Sequence, residues 1–338
     1  MSELSDLLDA AEAIAARGEA MALATIVATR GSTYRRAGAR LLIPAEGEPV
    51  GNISGGCLEG DVARIGRKVI ASGVPRLVEF DLTADDDAVW GYGLGCNGAM
   101  ELFIEPTPGA LETVAALRTG SGRCLVTPLT GAELGSHRFE TDGAAAAALR
   151  DGSPRVNEVA GERVFFEPML PPIRLVVCGA GHDAIPLVRQ AVELGWRAVV
   201  ADVRRALLNA ERFPGAAEFS AADPADATGA VAPDERTAVV LMSHNYLRDI
   251  AYLGALLDSP LAYLGVLGPR GRTVQMLGEL GRPEVIDRLH APAGLDIGAE
   301  GPEEVAHAIV TEILAVIRGR EGGPLRDRGA PIHGRAPD

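Results

Sequence analysis

The sequence predicts an α/β protein: an N-terminal mixed α/β domain, then a C-terminal doubly wound parallel sheet. Three observations carry this. After residue 172, strand-like and helical patterns alternate, as a parallel sheet covered by helices requires. That alternation opens on Gly179-Ala180-Gly181, set between a strand pattern and a helix pattern. Upstream, Pro168, Pro171 and Pro172 mark a break between two differently patterned segments. The expected domains are 1–170 and 173–318, with a tail at 319–338 that reads as disordered because it is rich in Gly, Pro and Arg.

In the first domain, Leu4, Leu7, Leu8, Ala11, Ile14 and Ala15 recur at helical spacing, with Gly18 as the stop. Residues 22–28 and 39–43 read as strands joined by a loop at 30–38, and 46–49 as a turn. Leu58, Val62, Ile65 and Val69 form a helical stripe ending near Gly73. Strands follow at 77–80 and 100–104, with the acidic run 85–87 as a solvated loop between them. Strands at 124–129 and 162–167 flank a weak alanine-rich helix at 142–150. In the second domain, strands are expected at 173–178, 198–202, 238–242 and 262–267, and helices at 183–194, 246–258 and 302–318.

Composition excludes several function classes. The 338 residues suffice for two domains, and 47% hydrophobic with 23% charged residues is a globular balance. A net charge of −14 argues against a nucleic-acid binder, though not against a local basic pocket for a phosphate. Residues 1–19 carry acids foreign to a signal peptide, and no apolar run is long enough to span a membrane. A cytoplasmic chain is expected. Four cysteines without C-x-x-C spacing suggest neither a disulfide framework nor structural zinc.

Two cysteines stand in glycine. Ser54-Gly55-Gly56-Cys57 leads into a helix pattern, and Gly93-Leu94-Gly95-Cys96-Asn97-Gly98 into a strand. Glycine lets solute approach closely, which suits a nucleophile, a redox group or a soft-metal ligand. A helix N-terminus favours thiolate at Cys57, while Glu59 and Asp61 oppose it. Cys124 and Cys178 fall within strands and read as small buried hydrophobes. No histidine precedes His137, so the first hundred residues hold no Cys-His nucleophile. No Ser-His-Asp pattern or P-loop lysine is present.

Gly179, Gly181 and Ala184 form a GxGxxA variant of the dinucleotide fingerprint of Rossmann-like sheets. Asp202 ends the next strand, at the distance of a ribose-binding acid. Arg204 and Arg205 follow it, placed for a 2′-phosphate or another anion. NAD(P) is therefore one candidate ligand; a Rossmann scaffold holding something else is the other. His182 stands at a helix start, where a neutral ring is expected. His244 follows one strand, and Gly268-Pro269-Arg270-Gly271-Arg272 the next, so both belong to the carboxyl rim where such sheets bind ligands. Gly294-Leu295-Asp296-Ile297-Gly298 before Pro302-Glu303-Glu304 reads as a helix start, with Asp296 at the rim.

Read together, Gly51-Asn52-Ile53-Ser54-Gly55-Gly56-Cys57-Leu58-Glu59, Gly93–Gly98 with Ile104-Glu105-Pro106, Gly179-Ala180-Gly181-His182 and Gly294–Gly298 resemble the XdhC/CoxI family, from about residue 10 to 318. Two differences stand out: Tyr34 where the family often has proline, and the 268–272 segment where a serine and a longer arginine run are usual. The resemblance implies an accessory protein for molybdenum hydroxylases such as xanthine dehydrogenase or carbon monoxide dehydrogenase. Such proteins bind molybdenum cofactor, support its sulfuration with a cysteine desulfurase, and deliver it to the apoenzyme. A molybdopterin carries a phosphate, which suits backbone amides and arginines, and a metal, which suits a thiolate. On this reading Cys57 and Cys96 meet the molybdenum and face the Rossmann crevice across the domain interface. Gly55, Gly56, Gly179, Gly181, His182, Asp202, Arg204, His244, Arg270 and Arg272 complete the expected cofactor contacts. A homodimer is compatible with a two-domain carrier, although no residue demonstrates one. A nicotinamide-dependent oxidoreductase and a pure interaction scaffold remain the other readings.

Overall fold

The computed structural model describes residues 2–81 and 98–329. They fall into two compact units divided between Pro171 and Pro172.

In the first unit, helix α1 (Glu3–Ala16) starts on Ser2, whose hydroxyl accepts from the Ser5 amide. Strand β1 (Met21–Gly31), strands β2 (Arg40–Pro44) and β3 (Val50–Gly51), helix α2 (Glu59–Ser72), and strands β4 (Arg76–Asp81) and β5 (Gly98–Pro106) follow. The strands make an antiparallel sheet in the order β3-β2-β1-β5-β4. Its two faces follow the period of two. Ala22, Ala24 and Ile26 meet Val62 and Val69 of α2, while Met21 and Leu23 meet α1 and helix α3 (Gly109–Thr119). Gly66 lets α2 lie close on the sheet: a Cβ there would sit 2.4 Å from Ile43 Cδ1.

A second antiparallel sheet holds β6 (Arg123–Pro128), β7 (Arg138–Glu140), β8 (Arg155–Val159) and β9 (Glu162–Met169) in the order β7-β6-β9-β8, with helix α4 (Gly143–Asp151) packed on it. A buried Arg40–Glu167 ion pair and the Arg163–Glu101 pair tie the two sheets together. Strands β3, β7 and β8 and helix α3 add to the elements expected from sequence. Pro168 lies inside β9, which tolerates it because β8 pairs only with residues 162–166.

The second unit runs β10 (Arg174–Cys178), α5 (Ala184–Glu193), β11 (Arg197–Ala201), β12 (Glu218–Ser220), α6 (Ala227–Val231), β13 (Thr237–Leu241), α7 (Tyr246–Leu256), β14 (Tyr263–Val266), α8 (Arg270–Glu279) and α9 (Pro302–Ile317). All strand pairs are parallel, in the order β12-β11-β10-β13-β14. Helices α5 and α9 cover one face, α7 and α8 the other. This is the expected doubly wound sheet, with its direction reversing between β10 and β13. The short β12 and α6 were not expected, and neither was α8: residues 270–272 open a helix rather than lie in a rim loop. Residues 319–329 are irregular apart from a 3₁₀ turn at Leu325–Asp327, and the rest of the expected tail lies outside the described residues. Among the described residues no helix is long and apolar enough to cross a membrane.

Candidate functional site

The glycine loop after β10 is built as the fingerprint predicts, but its special residues serve the protein itself. Gly179 has φ +131°, and a Cβ there would sit 2.5 Å from the Met242 carbonyl oxygen. Only glycine lets the end of β10 pass the end of β13 so closely. At Gly181 a Cβ would meet Asp183 Oδ1 at 2.5 Å. Asp183 is turned back toward the loop, and its Oδ2 lies 2.6 Å from His244 Nε2.

Asp202 is only 2% exposed. Its Oδ2 accepts from the Ala180 amide at 2.8 Å and from Arg204 Nη2 at 2.6 Å; its Oδ1 accepts from the Arg204 amide at 2.8 Å and Nε at 2.9 Å. A carboxylate has about four acceptor positions, and here all are taken. Burial pushes this carboxyl up, but the Arg204 guanidinium and the Ala180 and Arg204 amides outweigh it and hold the group at about 2. Here Asp202 braces the glycine loop, and Arg204 is folded onto it.

A cleft of about 430 Å³ opens beside the switch point, lined by Met242, His244, Asp249, Leu267, Gly268, Pro269 and Arg272. His244 adopts φ +57°, a left-handed backbone uncommon outside glycine. Asp249 of α7 is 1% exposed. It accepts from the Ser243 hydroxyl at 2.6 Å and the Ser243 amide at 3.2 Å, and its Oδ2 takes Arg272 Nη2 at 2.7 Å. Arg272 also lies over the Tyr246 ring at 5.6 Å. Two groups fix the guanidinium at the cleft wall, an arrangement suited to a planar or phosphate-bearing ligand. Arg270, by contrast, pairs with Asp287 at 3.2 Å on the surface and is not among the residues lining the cleft. His182 is exposed at the start of α5.

In the first unit, Cys57 is partly exposed, just before α2. Gly55 and Gly56 have φ +81° and +107°, and the Tyr34 ring lies about 3.5 Å from where a Gly55 Cβ would be. The centre of this loop is Glu59. Its carboxylate accepts from the amides of Ile53 (3.0 Å), Ser54 (2.8 Å), Gly56 (3.0 Å) and Leu58 (3.2 Å) and from the Ser54 hydroxyl. The Ser54 oxygen in turn accepts from Cys57 and Leu58 amides at 3.0 and 2.8 Å. Burial pushes the Glu59 carboxyl up; these donors outweigh it and leave it below its ordinary range. The sequence reading saw only a charge opposing the thiolate. It missed the ring of donors, as it missed Asp183 and Asp249, because each pairing joins residues that only the fold brings together.

Cys96 and the rest of its glycine-rich segment lie outside the described residues, and so does the expectation that rests on it of two cysteines meeting one metal. Gly98 closes that segment: a Cβ there would sit 2.5 Å from the Ser32 carbonyl oxygen, in the loop that also carries Tyr34. Among the described residues no group of three or more His, Cys, Asp or Glu is placed to hold a metal ion. Cys124 and Cys178 are wholly buried, and burial pushes Cys124 up to about 12 and Cys178 higher still.

The family model of the XdhC Rossmann domain matches residues 175–313, and that of the XdhC and CoxI family matches 14–81. A Bacillus subtilis protein named as a probable xanthine dehydrogenase subunit is 32% identical over 313 residues, 88% of this chain and 93% of that protein. The chain belongs to the XdhC and CoxI family. Another similar protein is PaoD of Escherichia coli K12, named a molybdenum cofactor insertion chaperone, 25% identical over 88% of this chain and 84% of its own. The crystal structure of a protein described as a xanthine dehydrogenase from Bacillus halodurans has a TM-score of 0.79 and 32% identity, covering 95% of this chain and 97% of that one. As an XdhC and CoxI family member, the chain carries the cleft described above within the matched Rossmann segment, and Cys57 and Glu59 within the other.

Proposed function

We propose that this chain is an accessory protein that binds molybdenum cofactor as cargo, supports its sulfuration with a cysteine desulfurase, and inserts it into a molybdenum hydroxylase apoenzyme in the cytoplasm. The names of the B. subtilis and PaoD relatives support this role. The observation that carries it against the oxidoreductase reading is the closure of the dinucleotide loop on itself. Asp202 offers a ribose hydroxyl no acceptor. What remains chemically available is a partly exposed thiol at Cys57 and a cleft with a fixed arginine, Arg272, and a histidine, His244. Those groups match a cargo with a phosphate and a thiophilic metal. In this reading Cys57 and Cys96 serve the molybdenum, Arg272 and His244 the organic part, and Gly55, Gly56 and His182 the close approach of the cargo. The test is to purify Cys57→Ala and Cys96→Ala chains and measure bound molybdopterin and activation of an apo-hydroxylase. Loss in either variant supports the reading; unchanged delivery by both removes the thiols from it.

A further inference from the structure

We propose that Glu59 is the positioning residue of Cys57. The inference rests on the reading above only in giving Cys57 a task; the arrangement itself stands on the geometry of the loop. The amides on both sides of Cys57, those of Gly56 and Leu58, donate to Glu59 Oε2. The Cys57 amide donates to the Ser54 hydroxyl oxygen, and that hydroxyl donates to Glu59. Three successive amides around the thiol are thus held by one carboxylate, directly or through one side chain. Two of the loop residues, Gly55 and Gly56, have left-handed backbones, which cost glycine nothing but leave it with many alternative conformations. Without an internal anion, the loop would lack a reason to hold one shape. Glu59 stands where a bound anion would stand in a nest of this kind, so the loop needs no ligand to become ordered.

Other charged groups near the loop are paired. Arg35 donates to the Asn52 carbonyl and pairs with Glu3, and Asp61 pairs with Arg64. The Tyr34 ring lies against Gly55. Glu59 is the acid bonded to the amides that flank Cys57. It therefore fixes the backbone that presents the sulfur. The free protein keeps Cys57 presented.

The test uses the full chain in a Cys96→Ser background. Cys124 and Cys178 are wholly buried, so Cys57 is the thiol that a disulfide reagent reports. Glu59→Gln keeps the shape, removes the charge and turns an NH₂ toward amide donors. Hydrogen exchange at the amides of 53, 54 and 56–58 is expected to quicken about tenfold or more, as for hydrogen bonds lost from a loop. The amides of 65–70, deep in α2, keep their rates. The rate of Cys57 modification at one fixed pH changes about threefold, and Glu59→Asp, which keeps a carboxylate, restores much of it. Ser54→Ala, which removes the acceptor of the Cys57 and Leu58 amides, quickens exchange at those two and serves if the glutamine variant does not fold. Unchanged loop exchange, or a modification rate unmoved by Glu59→Gln, overturns the proposal. Failure of the cargo reading looks different: loop exchange quickens with Glu59→Gln, yet molybdopterin binding and delivery are the same with and without the Cys57 thiol.

Discussion

Asp202 grips Arg204 through three hydrogen bonds, at 2.8 and 2.9 Å to Oδ1 and 2.6 Å to Oδ2, and turns its fourth acceptor position to the Ala180 amide. A strand-end acid that elsewhere would wait for a ribose is here part of the wall. Asp202→Asn keeps the volume but leaves donors facing an NH₂. It is expected to cost on the order of 2–4 kcal/mol of stability for the second unit, read from denaturant unfolding.

The same group gives the second unit an acid limit. Its folded value of about 2 lies below the ordinary aspartate value. A depressed carboxyl contributes stability that is present above the unfolded value, about 4, and is lost as pH falls toward 2. Wild-type stability therefore declines through that window more steeply than that of Asp202→Asn, which has no such carboxyl. Parallel acid titrations of the two, followed by circular dichroism, check this.

In the first unit His137 and Glu105 form a buried pair, Nε2 to Oε2 at 2.7 Å, with Thr127 at 3.0 Å from Nδ1. Burial alone would push His137 down; the hydrogen bond and charge of Glu105 overcome it and raise the imidazole. A raised histidine contributes stability that is fully present below its unfolded value, about 6.5, and is lost as pH rises through the folded value. First-unit stability should therefore fall as pH climbs from 6.5, and His137→Gln should flatten that slope. Glu105→Ala leaves the imidazole buried without its partner and should cost about 3–5 kcal/mol.

Gly179→Ala tests the close approach of β10 to β13. A methyl group would sit 2.5 Å from backbone oxygen, at a φ of +131°. Because backbone cannot swing aside as a side chain can, the loss is expected to reach about 2–3 kcal/mol. Gly56→Ala meets no atom within 4 Å and pays only the backbone term, so it should be the milder of the two by thermal unfolding.

The Rossmann unit was legible because hydrophobic strands and glycine turns announce themselves locally: Val176, Val177, Val239 and Val240 are wholly buried in adjacent parallel strands. Helix α8 escaped because Arg270, Gly271 and Arg272 put poor helix-starting residues in its first turn, although Pro269 before it was a usable signal. Helix α3 was visible in Leu111, Val114 and Leu117 at helical spacing and was passed over. The site was less legible. His244 and Arg272 reach one cleft, but Arg270 does not, since successive helix positions point about 100° apart. The tasks of Asp202 and Glu59 depend on backbone amides, and residue identity carries no mark of which amide a carboxylate will meet.

NADH and NADPH discriminate the readings directly. With the loop closed on Asp202, fluorescence titration of either nucleotide is expected to show no saturable binding. Tight binding together with substrate-dependent oxidation would favour the oxidoreductase.

The most direct measurement is the molybdopterin content of the chain purified from cells that make the cofactor, alongside Arg272→Lys, which keeps a positive charge for the buried Asp249, and Cys57→Ala chains. The account predicts cofactor retained by the wild type, released as a fluorescent oxidised pterin, and diminished in both variants. A wild-type chain that carries none, and takes none up when mixed with cofactor freshly released from a loaded hydroxylase, would contradict it.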